Sequence, residues 1–223
     1  MKIDQSQIKL IIISHATEIN AEVETIGSLC ELGLTYFHLR KPGYSRKELE
    51  KLVEAIPIQY LPNIIIHQCH ELIYSYPLRG IHHTSAPDFY PDLPAHIHQS
   101  KSFHQLGEIA VNQHPYNYVF LSPLYDSISK QGYAGKFNFA ELAQFLQNHQ
   151  RSTEIMALGG VEAEKISELH QLGFDGVAVL GAIWRSVTVG ERLEKFREIV
   201  GAIHQLPPDH RDGLLTSSTS KRL

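Results

Sequence analysis

Two short apolar segments near the end of the chain, each running into glycine, most constrain its fold. They are residues 154–161 (EIMALGGV) and residues 176–183 (GVAVLGAI). Each has the pattern of a buried strand followed by a turn and a helix. Glycine in such a turn lets a backbone N–H approach a ligand closely, and the following helix start favours an anion. Two such turns in succession predict the phosphate site that follows strands seven and eight of a (β/α)8 barrel.

The rest of the chain supplies six earlier strand–helix units. Apolar, β-branched runs predict strands at residues 8–13, 35–40, 63–67, 79–83, 95–99 and 117–122. Intervening segments predict helices at residues 20–32, 45–56, 68–76, 103–112, 139–146, 163–172 and 190–204. Units that alternate in this way roughly every 25–30 residues predict a parallel sheet.

A closed TIM barrel is favoured over an open doubly wound sheet. The glycine-rich turns lie in the last two units, whereas a dinucleotide-binding sheet would place them in the first. The α/β class and a single (β/α)8 barrel over residues 1–206 follow. Residues 207–223 form a polar tail that we expect to be disordered.

Composition excludes several function classes. The net charge is −4 and no long basic run occurs, so we expect no nucleic-acid partner. No apolar run has transmembrane length and the first residues lack a signal-peptide core, so we expect no membrane partner and a cytoplasmic location. The two cysteines, Cys30 and Cys69, fit reduced structural residues. Fourteen histidines are many for 223 residues.

Histidine follows or ends each of the first five predicted strands, where a TIM barrel gathers its active site. The positions are His15, His38, His67, His82 with His83, and His98. Because side chains alternate along a strand, we expect only two or three of them to reach the pocket. Several imidazoles at one mouth could hold zinc or iron. No carboxylate accompanies them and no His-Glu-x-x-His run occurs, so the sequence assigns no metal ligand; packing roles for most of them remain an alternative.

The segment after the sixth strand has a different character. Residues 122–135 carry Ser127, Ser129 and Lys130 together with two glycines. Hydroxyls and a lysine suit a phosphate or diphosphate, and glycines let a loop close over substrate.

Several motifs, in order and at their spacings, resemble the family of thiamine phosphate synthase and its paralogue TenI, a thiazole tautomerase. They are Phe37-His-Leu-Arg40, Gly80-Ile-His82, residues 118–125 (YVFLSPLY), Ser127-Ile-Ser-Lys130, residues 157–161 (ALGGV) and residues 173–179 (GFDGVAV). The resemblance covers the chain to about residue 204. It implies a TIM barrel in thiamine biosynthesis, and dimers occur in the family, so a homodimer is a possible assembly.

The resemblance also implies site residues. In the synthase a thiazole phosphate displaces diphosphate from a pyrimidine diphosphate, with magnesium held by two aspartates. The positions matching pyrimidine and diphosphate contacts are Arg40, Ser100, Ser127, Ser129 and Lys130, and His38 replaces a family glutamine. The positions matching the thiazole-phosphate site are Gly159, Gly160, Gly181 and Ala182.

The departures from the synthase pattern favour TenI-like proton transfer. An Asn-Asp pair becomes His67-Gln68, and the second metal aspartate becomes Pro87 unless Asp88 replaces it. Magnesium is therefore expected only if the chain is a divergent synthase, which is the first alternative. A barrel that binds a phosphate ligand without catalysis is the second. The candidate acid–base residues are Lys130, His67, His98 and His104, with His38 also in reach; the TenI catalytic histidine matches nearest to Ser102.

Overall fold

Eight parallel strands close into a barrel in the order in which they occur along the chain. A computed structural model describes residues 8–84, 89–125, 137–148 and 153–207. The strands are β1 (Lys9–Ile13), β2 (Phe37–Leu39), β3 (Ile64–Ile66), β4 (Gly80–His83), β5 (His98–Phe103), β6 (Tyr118–Leu121), β7 (Glu154–Leu158) and β8 (Gly176–Val179). β8 pairs with β1, with Gly176 opposite Lys9, and completes the circle. The prediction of a TIM barrel is confirmed.

Helices cover the outside of the barrel. They are α1 (Glu22–Glu31), α2 (Arg46–Ala55), α3 (Leu106–Ala110), α4 (Phe139–Asn148), α5 (Ile166–Leu172), α6 (Gly181–Trp184) and α7 (Val189–His204). Short 3-10 helices occupy Ile58–Asn63, His70–Tyr74 and Ala163–Lys165. Ser45 caps α2 as predicted, accepting a hydrogen bond from the Glu48 N–H. No helix in the described ranges is both long enough and apolar enough to span a membrane.

Two helix predictions were wrong in detail. The segment after β3 forms a 3-10 helix instead of an α-helix. Cys69, which precedes it, adopts a left-handed conformation with φ 52°, and Pro77 limits how far a helix could extend. The segment predicted as one helix over 163–172 begins with a 3-10 turn and becomes α-helical at Ile166. The tail from residue 208 onward lies outside the described residues.

The predicted position of the fifth strand was also wrong. Residues 94–97 form a turn, in which the Ile97 N–H donates to the Pro94 carbonyl at 2.9 Å, and the strand starts at His98. Its inward side chains include Ser100 and Ser102, which bond to a histidine of β4. A strand whose inward side chains are polar has no apolar run in its sequence. The predicted strand was therefore centred on Ile97, an apolar residue that lies just before the true strand.

The core has two layers, one between strands and helices and one inside the barrel. The inner layer contains Ile11, Ile13, Ile65, Tyr118, Phe120, Met156 and Ala178. Gly176 makes room in it, because a Cβ there would collide with the Met156 sulfur. This inner layer forms the floor beneath the carboxyl ends of the strands.

Candidate active site

The two glycine turns line one cavity at the carboxyl ends of β7 and β8. Its volume is about 230 Å³, and its lining includes all four residues that the sequence placed there: Gly159, Gly160, Gly181 and Ala182. Gly159 has φ 100° and Gly160 has φ 64°, conformations that favour glycine. The N–H groups of Gly181 and Ala182 are the first two of α6 and have no intrahelical acceptor. The turns therefore supply backbone donors within a concave space.

The segment that follows β6 packs against the glycine turn after β7, at the edge of this cavity. The N–H groups of Leu124 and Tyr125 donate to the carbonyls of Leu158 and Gly159, at 3.1 and 3.2 Å. A Cβ on Gly159 would lie 2.9 Å from the Pro123 Cα. Residues 122–125 therefore pack directly on the first glycine turn.

The same segment contacts His104 at the mouth of the barrel, by which we mean the end formed by the carboxyl ends of the strands. His104 Nδ1 lies 2.8 Å from the Ser122 carbonyl oxygen, and its side chain is otherwise exposed. A carbonyl oxygen only accepts, so Nδ1 donates this hydrogen bond, and in a neutral ring the lone pair then lies on Nε2. His104 directly follows Phe103, the last residue of β5. It therefore contacts the segment that packs on the first glycine turn.

Below the mouth lie three inward-facing histidines, which we call the histidine cluster: His38 on β2, His67 after β3 and His82 on β4. Each has one nitrogen within 4.8 Å of the others, and all are buried. His38 Nδ1 lies 2.9 Å from His67 Nε2, and His38 Nε2 lies 2.5 Å from the Tyr118 hydroxyl. These three are strand-end histidines that face the barrel interior.

Two serines of β5 complete the surroundings of the cluster. His82 Nδ1 lies 2.9 Å from Ser100 Oγ, and its Nε2 lies 3.1 Å from Ser102 Oγ. Among the described residues, His67 Nδ1 is buried without a hydrogen-bond partner. The cluster therefore contains one nitrogen that its protein surroundings leave unpaired.

Burial keeps the cluster neutral. It lowers the pKa of His38 to about 3. The pKa of His67 and that of His82 are also well below the usual range, mainly through burial and further through the neighbouring imidazoles and Arg40. At neutral pH all three rings carry lone pairs and no net charge, which suits proton acceptance or metal ligation.

His98 lies at the opposite end of the barrel from the mouth. It is the first residue of β5 and pairs with Gly80, the first residue of β4. Its ring packs against Tyr36 at 5.9 Å between centroids, and its pKa is lowered to about 4, mainly by burial and also by the Arg79 charge. The prediction that His98 ends a strand was wrong, and the error follows from the misplaced fifth strand.

The remaining predicted residues divide into three groups. Ser100 lies inside the barrel against His82, and Arg40 follows β2 with its N–H donating to Ser14 Oγ at 2.8 Å. His83 faces outward, with its Nε2 2.9 Å from Gln99 Oε1. Ser127, Ser129, Lys130 and Asp88 lie outside the described residues.

A buried ion pair beside the mouth was not foreseen. Lys41 is fully buried, and its Nζ donates to Glu22 Oε2 at 2.6 Å and to the carbonyls of His15 and Thr17 at 2.9 and 2.8 Å. Burial raises the pKa of Glu22, and the hydrogen bond from Lys41 opposes that rise. The pair fixes the connection after β1. Neither residue lies in a sequence pattern that would have revealed it.

Comparison with known proteins shows which family this chain belongs to. The model of a family described as thiamine monophosphate synthase matches residues 10–183. The chain belongs to this family.

The matches to individual relatives cover most of this chain and nearly all of each relative. A thiamine-phosphate synthase of Staphylococcus saprophyticus is 23% identical over 213 residues, which cover 88% of this chain and 99% of the relative. A thiamine phosphate pyrophosphorylase structure from Bacteroides thetaiotaomicron has a TM-score of 0.76 and 29% identity, covering 88% of this chain and 98% of that one. One from Pyrococcus furiosus, at 17% identity, has a TM-score of 0.68 and covers 89% and 98%, and shows the fold alone.

The magnesium that the synthase chemistry implies does not fit the described residues at the corresponding position. His67 offers an imidazole, and Gln68 Nε2 donates to the Lys41 carbonyl. Magnesium takes oxygen ligands, chiefly carboxylates and water, in near-ideal octahedral geometry. An imidazole and a bonded amide are poor replacements, so this member of the thiamine monophosphate synthase family departs from the expected donor set.

Proposed function

We propose that the chain is an enzyme of thiamine biosynthesis that binds a thiazole phosphate and moves a proton on it, as a TenI-like tautomerase does. The observation that carries the proposal is the hydrogen bond between His104 Nδ1 and the Ser122 carbonyl, because Ser122 belongs to the segment that packs on the first glycine turn. The phosphate would lie in the cavity and the thiazole ring would extend toward His104.

The cavity supports the phosphate half of the proposal. Backbone N–H groups from two consecutive turns can converge on one phosphate, and glycine permits close approach. The volume of about 230 Å³ suits a phosphate and the start of its attached chain rather than a whole nucleotide. The rest of the ligand would therefore extend over the barrel mouth.

His104 supports the chemical half. The Ser122 carbonyl binds its Nδ1–H, and the residue after Ser122 packs on Gly159. One short segment thus sets the spacing between the phosphate turn and the base. A general base here would take a proton from one atom of the thiazole and return it to another, so that no atom is gained or lost.

A divergent thiamine phosphate synthase is the second candidate, because the relatives carry that name. Release of diphosphate requires its developing negative charge to be neutralised. The donor set at His67 and Gln68 does not suit the ion that would do this. This difference is the reason for preferring proton transfer.

The test separates the candidates with one protein preparation. Purified protein with the thiazole phosphate should accelerate interconversion of its tautomers, followed by NMR. A second reaction containing pyrimidine diphosphate and magnesium should give no thiamine phosphate. Formation of thiamine phosphate and diphosphate would establish the synthase instead, and binding without either reaction would indicate a non-catalytic barrel.

Variants test the base. His104→Ala should lower kcat by about 10²–10⁴-fold, the range typical of a general base, with KM changed much less. His96→Ala, a change to an exposed histidine ahead of β5, is the matched control and should retain full activity. Undiminished turnover in His104→Ala would refute the assignment of the base.

A further inference from the structure

We propose that His38, His67 and His82 form a three-histidine site for a divalent transition-metal ion of the zinc type. The site is distinct from the glycine cavity and His104. It goes beyond the proposed function, which needs no metal, and neither the family resemblance nor the relatives' names imply it.

The geometry of the cluster is close to that of a metal site. A tetrahedral zinc ion has Zn–N distances of about 2.0–2.1 Å, which puts its ligand nitrogens about 3.3 Å apart and its imidazole centres about 5 Å apart. The centroids here are 5.1 Å apart for His38 and His67, 5.5 Å for His38 and His82, and 4.3 Å for His67 and His82. The facing nitrogens of His38 and His67, at 2.9 Å, need to separate only slightly.

The second layer of contacts has the form that metal-bound histidines require. When His38 Nδ1 ligates the ion, its Nε2–H can donate to the Tyr118 hydroxyl. When one nitrogen of His82 ligates, the other can donate to Ser100 or Ser102. Such partners fix the tautomer and orientation of the ring and strengthen binding. They stand on β5 and β6, so two further strands hold the cluster in place.

The chemistry of the donors selects the class of ion. Neutral imidazoles suit zinc, cobalt, nickel and copper, whereas magnesium and calcium prefer oxygen. Burial lowers the pKa of all three histidines, so at neutral pH no proton must be displaced. A neutral ring exposes one lone pair by carrying its proton on the other nitrogen.

Three protein ligands leave one position of a tetrahedral ion open. In catalytic zinc sites that position holds water, whose pKa the metal lowers to about 7. A hydroxide there would also offset part of the charge of an ion buried without a protein carboxylate. The site would therefore stabilise the barrel interior and carry one exchangeable ligand.

Metal binding is tested directly on the intact chain. Protein treated with chelator and dialysed would be titrated with Co²⁺, whose visible absorption is intense in tetrahedral sites, and then with Zn²⁺ in competition. We expect one ion per chain. We also expect the Tm to rise by roughly 5–10 °C at a metal concentration one hundred times the Kd. X-ray absorption of the zinc form should show three nitrogen neighbours.

Variants locate the ion. His82→Asn should weaken binding at least 100-fold, and circular dichroism of the metal-free variant would establish that it folds. Tyr118→Phe keeps all three ligands and should weaken binding about 10–100-fold; it provides the test if His82→Asn fails to fold. His96→Ala, the surface control, should bind as the parent does.

Two results would overturn the proposal. One is the absence of a stoichiometric ion in the parent. The other is full binding in both His82→Asn and Tyr118→Phe, which would place the ion on surface histidines. In either case the cluster would be a hydrogen-bonded chain only, and the tautomerase assay with His104→Ala would stand unaffected.

Discussion

Replacement of Lys41 by methionine tests how strongly the connection after β1 depends on one buried ion pair. Lys41 is fully buried and Glu22 nearly so. Methionine has a similar length but no charge and no donor. The change would leave the Glu22 carboxylate without its partner and the carbonyls of His15 and Thr17 without their donor.

The expected loss is large. Removing one partner of a buried pair costs about 3–5 kcal/mol, because the remaining charge is desolvated and uncompensated. For a chain of this size that corresponds to a fall in Tm of roughly 6–20 °C. Glu22 already has a raised pKa through burial, and losing Lys41 would raise it further. Glu22 then keeps its proton to higher pH in the folded variant than in the folded parent, so the stability deficit of the variant should grow once the pH exceeds the raised pKa of Glu22 in the parent.

Urea unfolding of the parent and the variant at pH 5 and pH 8 measures both effects. The double variant Glu22→Leu with Lys41→Met is the control, since an apolar pair of similar volume should recover the part of the loss that comes from the unpaired Glu22 carboxylate. A deficit under about 1 kcal/mol, equal at the two pH values, would refute the reasoning by showing that solvent screens the pair.

Two further predictions address the glycine turn and the histidine cluster. Gly159→Ala should cost at least 1–2 kcal/mol and weaken phosphate binding, because φ is 100° and the new Cβ would lie 2.9 Å from the Pro123 Cα. Gly181→Ala, whose Cβ meets open space, should change stability by under about 0.5 kcal/mol, and an equal loss of stability in the two variants on thermal unfolding would contradict this. Burial lowers the pKa of His38 to about 3. The resulting contribution of His38 to the free energy of unfolding is therefore complete above about pH 6.5 and is lost as pH falls toward 3. His38→Gln should therefore reduce the slope of unfolding free energy between pH 6 and 5 by up to about 1.4 kcal/mol per pH unit, whereas an unchanged slope in urea titrations would show that the pKa of His38 is the same in the folded and unfolded states.

The sequence predicted the closed barrel and the meeting of the two glycine turns because both depend on local pattern. Continuous apolar runs mark strands that are buried on both faces, and glycine marks turns with positive φ. The fifth strand escaped detection for the same reason. Ser100 and Ser102 both face His82, so the hydrophobic pattern on which the prediction relied is absent there.

The identity of the inward histidines could not be read from the sequence. A shift of one residue in register turns every side chain to the other face of the sheet. His82 and His83 are adjacent, yet only His82 faces the barrel interior, while His83 meets Gln99 outside. Tyr118 lies eighty residues from His38 in sequence, and only closure of the sheet brings their side chains within 2.5 Å.

The pairing of β1 with β8 has a consequence for synthesis of the chain. Lys9 lies opposite Gly176, and the Trp184 indole N–H donates to the Ile13 carbonyl at 2.6 Å. These contacts between distant residues can form only after β8 has left the ribosome, and such long-range closure is slow. Until then β1 lacks one of its two neighbours and presents an open edge. The histidine cluster belongs to the part synthesised early and the phosphate cavity to the part synthesised late, so a nascent chain would form the phosphate cavity only in the last step of folding.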